Sequence, residues 1–227
     1  MPLPHNTQYR EVIGSLLYLA TVSRPDISTA VGILSCRVEK PTEQDRKAAK
    51  RVIRYLGVST LDKKLYLPST GKMKLECFVD ADWAGDRTDR KSTNGYVFRL
   101  GDGIIAWSSK KQTSVAASST EVEYIAASHA SKELLWLRQL LKNMSFPAEE
   151  PTIINEDNQG CIRLIESSRC GARTKHIDVC YHQIRDLQEK KILHMRYCPS
   201  ERMLADLFTK PLAKERFLEL TASLGLR

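Results

Sequence analysis

The sequence lacks the features of membrane, secreted and disulfide-bonded proteins. Its six cysteines form no CxxC pair and show no paired spacing, which argues against a disulfide framework and predicts reduced thiols. No apolar run approaches the ~20 residues that a membrane helix requires. The N-terminal stretch MPLPHNTQYR has no apolar segment of the kind found in signal peptides. We therefore expect an intracellular protein that is not secreted and has no membrane partner.

Motifs of several enzyme classes are also missing. The chain contains no GxSxG, HExxH or GxxxxGK[ST], which are signatures of α/β-hydrolases, zinc metalloproteases and P-loop nucleotide-binding proteins. What the chain does contain is an excess of basic residues, with 35 Lys and Arg against 27 Asp and Glu and a net charge of +8. Such an excess is typical of proteins that bind polyanions, but it also fits an ordinary basic surface.

Residues 1–70 are predicted to form a small, mainly helical segment. Apolar residues recur at three- and four-residue spacing in TQYREVIGSLLYLATV, as they do in an amphipathic helix. Further helices are predicted from Pro25 in RPDISTAVGILSCRV and from Pro41 and Thr42 in PTEQDRKAAKRVIRYL, because these residue types favour helix starts. KKLYL, at the end of this segment, is predicted as a short strand.

Residues 71–227 alternate between strand and helix patterns. MKLECFVD, GYVFRL and IIAWSS are predicted strands, and Gly101-Asp102-Gly103 between the last two predicts a tight hairpin. A long amphipathic helix, the strand PTIIN, two helices, the strand LHMRYC and the helical segments MLADLFTK and KERFLELTASL follow. The order β-β-β-α-β-α-α-β-α predicts an α/β fold, a mixed five-stranded sheet with helices on its faces.

Four acidic residues stand in apolar surroundings, where a carboxylate is costly unless it is paired or bound to metal. They are Asp80 in CFVDADW, Glu123 in SSTEVEYIAAS, Asp157 in IINEDNQG and Asp206 in MLADLFTK. Two of them close predicted strands, and the other two lie in helices that pack beside the sheet. Functional groups of an open α/β sheet gather at strand ends and at neighbouring helix starts. We therefore expect the four carboxylates to lie together.

Two of these positions have a close competitor. Asp82 has the same parity as Asp80 on its strand and could be the ligand instead. Glu121 competes with Glu123, but SSTE reads as a capping box in which Ser118 caps the helix and Glu121 is its partner. The pattern alone leaves both choices open.

A cluster of four carboxylates favours divalent cations. Like charges within a few ångströms are costly unless cations neutralise them, and Mg²⁺ prefers oxygen ligands and also binds substrate phosphates. Two such ions about 4 Å apart can activate a water and stabilise the departing oxygen. In a basic protein this predicts metal-assisted cleavage of a phosphodiester backbone. Asp157 could instead cap the following helix, and Asp206 could be a surface acid.

Seven strings along the chain match one known family. They are IGSLLYLATVSRPDI, KAAKRVIRYL, VDADWAGDRTDRKSTNGYVF, WSSKKQTSVAASSTEVEYIAAS, EDNQG, RTKHIDVCYHQIR and ADLFTKPL. They carry a resemblance to the C-terminal Pol region of copia-type LTR retrotransposons. It implies that residues 71–227 form an RNase H-like domain and that residues 1–70 are a thumb or connection remnant of a reverse transcriptase. The paired-aspartate motif of the polymerase is absent, so we expect no DNA synthesis.

The resemblance also implies an activity. The family's metal-binding acids fall on Asp80, Glu123, Asp157 and Asp206. The implied reaction is hydrolysis of the RNA strand of an RNA–DNA hybrid with two Mg²⁺ or Mn²⁺ ions. It would take place in cytoplasmic virus-like particles or in the nucleus, and the rest of a Pol polyprotein would be a further partner. The competing interpretation is a catalytically idle remnant that still binds nucleic acid.

Basic side chains are the predicted contacts to the hybrid. Arg173-Thr174-Lys175-His176 lies at the start of a predicted helix, where phosphate contacts are favoured. The phosphate-binding prediction comprises Lys110, Lys111, Arg173, Lys175 and His176.

Overall fold

A five-stranded mixed sheet forms the centre of the structure, a computed structural model. The description covers residues 2–68, 73–86, 88–167 and 178–227, with the backbone alone for 178–182. The strands are β1 (Leu75–Asp82), β2 (Thr93–Leu100), β3 (Gly103–Lys111), β4 (Thr152–Glu156) and β5 (Leu193–Tyr197). Their spatial order is β3-β2-β1-β4-β5. The first three strands are antiparallel, whereas β4 runs parallel to both β1 and β5.

Seven α-helices accompany the sheet in the described part of the chain. They are α1 (Thr7–Val22), α2 (Ser28–Ser35), α3 (Glu43–Arg54), α4 (Ser119–Asn143), α5 (Gln159–Glu166), α6 (Asp178–Glu189) and α7 (Lys214–Ser223). One face of the sheet packs against α4, α5 and α6 through a large apolar core. The opposite face packs against α7 and a short 3₁₀ helix, Leu204–Phe208. This arrangement is the predicted RNase H-like fold, and it confirms the fold class expected from the order of elements.

The N-terminal helices have an apolar core of their own and also contact the sheet. Thr29 on α2 donates a hydrogen bond to the carbonyl oxygen of Leu207 at 2.6 Å, and the Trp107 indole donates to the carbonyl oxygen of Ala20 at 2.7 Å. The expected division between residues 70 and 71 falls within 69–72, outside the described residues, so it stays a prediction.

Local signals in the sequence account for several element boundaries. Thr42 and Asp45 form a capping box at the start of α3. The hairpin between β2 and β3 turns at Gly101, whose φ of 59° suits glycine. The strand predicted for KKLYL is wrong, because Leu65 forms only an isolated bridge with Leu226. In the described ranges, none of the helices combines the length and apolar character needed to span a membrane.

Candidate metal centre

The sheet register brings Asp80 and Asp157 to the same edge. In the parallel β1–β4 pair Phe78 lies opposite Asn155, so the residues two positions further on, Asp80 and Asp157, are neighbours where the two strands end. Glu123 approaches the same edge from the first turns of α4, which packs across β1. The three residues each offer a carboxylate oxygen, and these atoms lie within 4.8 Å of one another.

Two of the three carboxylates in this cluster are almost fully buried, which is unusual for acidic side chains. Asp80 is 2% exposed and Glu123 is 6% exposed, while Asp157 is half-buried. Glu123 Oε2 is buried and has no hydrogen-bond partner among the described residues. An all-oxygen donor set with an unpartnered buried atom fits a hard divalent cation such as Mg²⁺. The acidic cluster can therefore bind a metal ion.

The pKa values of the clustered acids also favour a bound cation. Burial is the main cause that raises the pKa of Asp80 to about 6, against the opposing effects of Lys210 and of the hydrogen bond from Thr209. Burial, together with repulsion from Glu156 and Asp80, raises the pKa of Glu123 well above its usual range. A bound cation would reverse this cost by favouring the charged carboxylates.

Neighbouring side chains orient two of the acids. The Thr209 hydroxyl donates to Asp80 Oδ2, and the Ser200 hydroxyl donates to Asp157 Oδ2 at 2.8 Å. Asn158 caps α5 by accepting a hydrogen bond from the Cys161 N–H at 3.0 Å. Asp157 is therefore not needed as the helix cap.

Gly95 allows the 3₁₀ helix and the residue after it to approach Asp80. It lies opposite Asp80 in the β1–β2 register. A Cβ atom there would stand 2.6 Å from Thr209 Cγ2 and 2.8 Å from Phe208 Cβ. The missing side chain thus leaves room for the segment that carries Thr209.

Asp206 lies beside the cluster and is held by cations. It is 6% exposed, and Lys210 Nζ lies 2.7 Å from Asp206 Oδ1 and 3.5 Å from Asp80 Oδ2. Arg216 Nη2 lies 3.6 Å from Asp206 Oδ2. Asp206 is not one of the three acids whose oxygens converge in the described part of the chain. Its role as a metal ligand therefore stays a prediction.

The two competing acids lie apart from the converging group. Asp82 packs closely against Gly85, where an added Cβ would stand 1.8 Å from Asp82 Oδ2. Ser118 caps α4 as predicted, and the Glu121 carboxylate accepts from the Ala117 N–H at 2.8 Å. Glu121 is thus engaged at the helix end.

Glu156 is an acidic residue that the sequence analysis missed. Its side chain is 0% exposed, and its Oε1 accepts a hydrogen bond from the Asn158 N–H at 3.0 Å. Burial raises the pKa of Glu156 well above its usual range, and Asp157 and Asp80 raise it further. The signal was available: Glu156 has the same parity as the buried Ile154 on β4, so it faces the core.

The predicted phosphate contacts are described only in part. Lys110 is exposed on β3, whereas Lys111 is paired with Asp86 and with Asp89 at 2.9 Å. Both lysines line a groove of about 490 Å³ between α2 and the sheet. Arg173, Lys175 and His176 lie outside the described residues.

Comparison with known proteins shows what this chain is related to. The Pol polyprotein from the Arabidopsis thaliana transposon RE2, a retrovirus-related protein, is 41% identical over 224 residues, which is 99% of this chain. The chain is a homologue of Pol polyproteins from copia-type plant retrotransposons. It spans about 15% of the length of that Pol relative. No protein-family model matches the chain.

Two other similarities complete the comparison. A secreted RxLR effector protein of Plasmopara viticola is 47% identical over 132 residues, which is 58% of this chain and 92% of the effector. The N-terminal RNase H domain of a Mycobacterium tuberculosis protein, solved as a fusion with maltose-binding protein, gives a TM-score of 0.45 at 14% identity. That alignment covers 67% of this chain and 99% of the other.

Proposed function

We propose that this chain is a metal-dependent endoribonuclease that cleaves the RNA strand of RNA–DNA hybrids. The observation that supports the proposal most directly is the convergence of Asp80, Glu123 and Asp157 at the shared end of β1 and β4. Carboxylates packed this closely and buried this deeply are expected to need a cation. The similarity to Pol polyproteins agrees with a nucleic-acid substrate.

In this proposal the acids would hold two Mg²⁺ or Mn²⁺ ions. Asp80, Glu123 and Asp157 would hold one ion, and Asp206 would help to hold the other. When bound, such ions activate a water at neutral pH and stabilise the oxygen that leaves. Thr209 fixes the carboxylate of Asp80 through its hydroxyl, and Ser200 does the same for Asp157. These contacts set the direction of the metal-binding oxygens before the substrate arrives.

The groove beside the cluster fits a nucleic-acid backbone. Asp82 and Thr209 line it near the acids, and Lys110 and Lys111 line it on β3. Lys110 is exposed and available for a phosphate. Selectivity for RNA would come from contacts to its 2′-hydroxyl groups and from the A-like shape of the hybrid.

A second candidate is a catalytically idle protein that only binds nucleic acid. The observation that favours it is the pairing of Asp206 with both Lys210 and Arg216, which competes with metal binding at this residue. The two candidates predict the same binding but differ in cleavage.

A cleavage assay separates them. The protein is incubated with Mg²⁺ and a hybrid labelled on its RNA strand, and the same is done with Glu123→Gln and Glu121→Gln. We expect Glu123→Gln to lower the rate by at least about 100-fold, because a cluster carboxylate is lost. The matched control Glu121→Gln, two residues away at the helix end, should cleave like the parent. Binding without cleavage by the parent would leave the idle candidate as the answer.

A further inference from the structure

Lys210 places an ammonium group between two of the four predicted metal-binding acids. Its Nζ atom lies 2.7 Å from Asp206 Oδ1 and 3.5 Å from Asp80 Oδ2. The backbone N–H of Lys210 also bonds to the carbonyl oxygen of Asp206 at 3.3 Å. The turn that follows the 3₁₀ helix therefore brings the lysine back over the acid four residues earlier. A unit positive charge lies where a metal ion shared by these carboxylates would have to bind.

This pairing differs from an ordinary surface ion pair. Both carboxylates are almost fully buried, with 2% of Asp80 and 6% of Asp206 exposed. A surface pair contributes little because water screens it, but here the acceptors are shielded from water. The ion pairs that the structure shows for Lys210 are both with predicted metal ligands.

The second cation at Asp206 is attached differently. Arg216 donates hydrogen bonds to the carbonyl oxygens of Glu201 and Ser200, at 2.6 and 2.9 Å, and pairs with Glu219. These contacts fix its guanidinium on the far side of Asp206, 3.6 Å from Oδ2. Lysine, in contrast, is a compact charge on a flexible stem, and the side chain of Lys210 is 36% exposed. Lys210 therefore has a path to solvent.

We propose that Lys210 is an internal counter-ion whose ammonium group occupies the position of the second divalent ion between Asp80 and Asp206. This inference rests on the proposed function, because Lys210 would regulate that reaction. Without nucleic acid, the protein binds one divalent ion, at Asp80, Glu123 and Asp157. The second ion enters only when the ammonium moves away, and the phosphates of the hybrid offer it another anionic partner. Lys210 is thus a positioning residue that couples uptake of the second ion to the substrate.

Calorimetric titration with Mn²⁺ alone, in the absence of nucleic acid, tests this assignment. Lys210→Met removes the charge and keeps the length of the side chain, whereas Lys210→Arg keeps the charge. The matched control is Lys190→Met, because Lys190 forms the same pairing with an acid four residues earlier, Asp186, at 2.7 Å. We expect the parent, Lys210→Arg and Lys190→Met to bind one ion. Lys210→Met should bind a second ion at least about tenfold more tightly than the parent does.

The outcomes separate the inference from the proposed function. Two ions of similar affinity in the parent, or the same isotherm for the parent and Lys210→Met, would overturn the role of Lys210 even if the parent cleaves hybrids. Absence of cleavage by the parent protein would overturn the proposed function, whatever number of ions the protein binds. If Lys210→Met does not fold, Lys210→Gln is the second neutral variant, and an unchanged isotherm for it would equally overturn the assignment.

Discussion

Replacing Asp80 with asparagine should stabilise the metal-free protein while weakening its response to divalent cations. Burial raises the pKa of Asp80 from 3.8 to about 6. The folded state therefore holds this proton more tightly than the unfolded state does. That stabilisation is complete at low pH, below the unfolded value, and it is lost as the pH rises through about 6. A difference of about two pKa units corresponds to about 3 kcal/mol.

The neutral amide of Asp80→Asn avoids this loss. At about pH 7.5 with EDTA, we expect the free energy of unfolding of the variant to exceed that of the parent by about 3 kcal/mol. The amide also removes the repulsion that Asp80 exerts on Glu123 and Glu156. Its carbonyl oxygen can still accept the hydrogen bond from Thr209.

Urea denaturation at about pH 4 and about pH 7.5, each with EDTA and with Mg²⁺, measures the effect. The stability of the parent should fall between the two pH values more steeply than that of Asp80→Asn. Mg²⁺ should stabilise the parent at the higher pH, because a ligand that binds only the folded state stabilises it. A variant less stable than the parent in EDTA at the higher pH would refute the reasoning. So would equal pH dependence in the two proteins.

Three further predictions concern the rest of the molecule. Asp26→Ala should lower the free energy of unfolding by about 3–5 kcal/mol in urea, because it leaves the buried Arg24 without its carboxylate partner at 2.7 Å; a loss within error would show that water solvates this arginine. Gly95→Ala should weaken Mn²⁺ binding in calorimetry by displacing Thr209 from Asp80; unchanged affinity would contradict the close approach. Under native conditions an alkylating reagent should modify exposed Cys36 before the three buried thiols that the structure describes, as followed by peptide mass spectrometry; equal rates for these thiols would contradict their burial. Those buried thiols are Cys77, Cys161 and Cys198.

The convergence of Asp80 with Asp157 could be predicted because each residue stands where the sequence predicts the end of a strand. The sequence marks each strand by a short apolar run that ends in a carboxylate, and neighbouring parallel strands end at the same edge. Glu123 was predictable for a related reason, since its apolar helix pattern leaves a carboxylate on the buried side. The positions of these three acids could therefore be predicted from the few residues next to each of them along the chain.

The contacts around Asp206 could not be predicted in the same way. Its pairing with Lys210 depends on a 3₁₀ turn rather than an α-helix, and the approach of that turn to Asp80 depends on the missing side chain of Gly95. The approach to Asp80 joins residues far apart in the sequence. The strand predicted for KKLYL was wrong for a similar reason, because Leu65 pairs with the distant residue Leu226 rather than with the sheet.

Two hydrogen bonds that join the N-terminal helices to the rest of the structure have a consequence for how the protein unfolds. Thr29 on α2 donates to Leu207 in the 3₁₀ helix, and Trp107 on β3 donates to Ala20 on α1, so residues that the family resemblance assigns to different ancestral modules share polar contacts. Separating the two parts would break both hydrogen bonds, together with the contacts of α2 to β3 and to the 3₁₀ helix. We therefore expect the helices and the sheet to unfold in one cooperative transition.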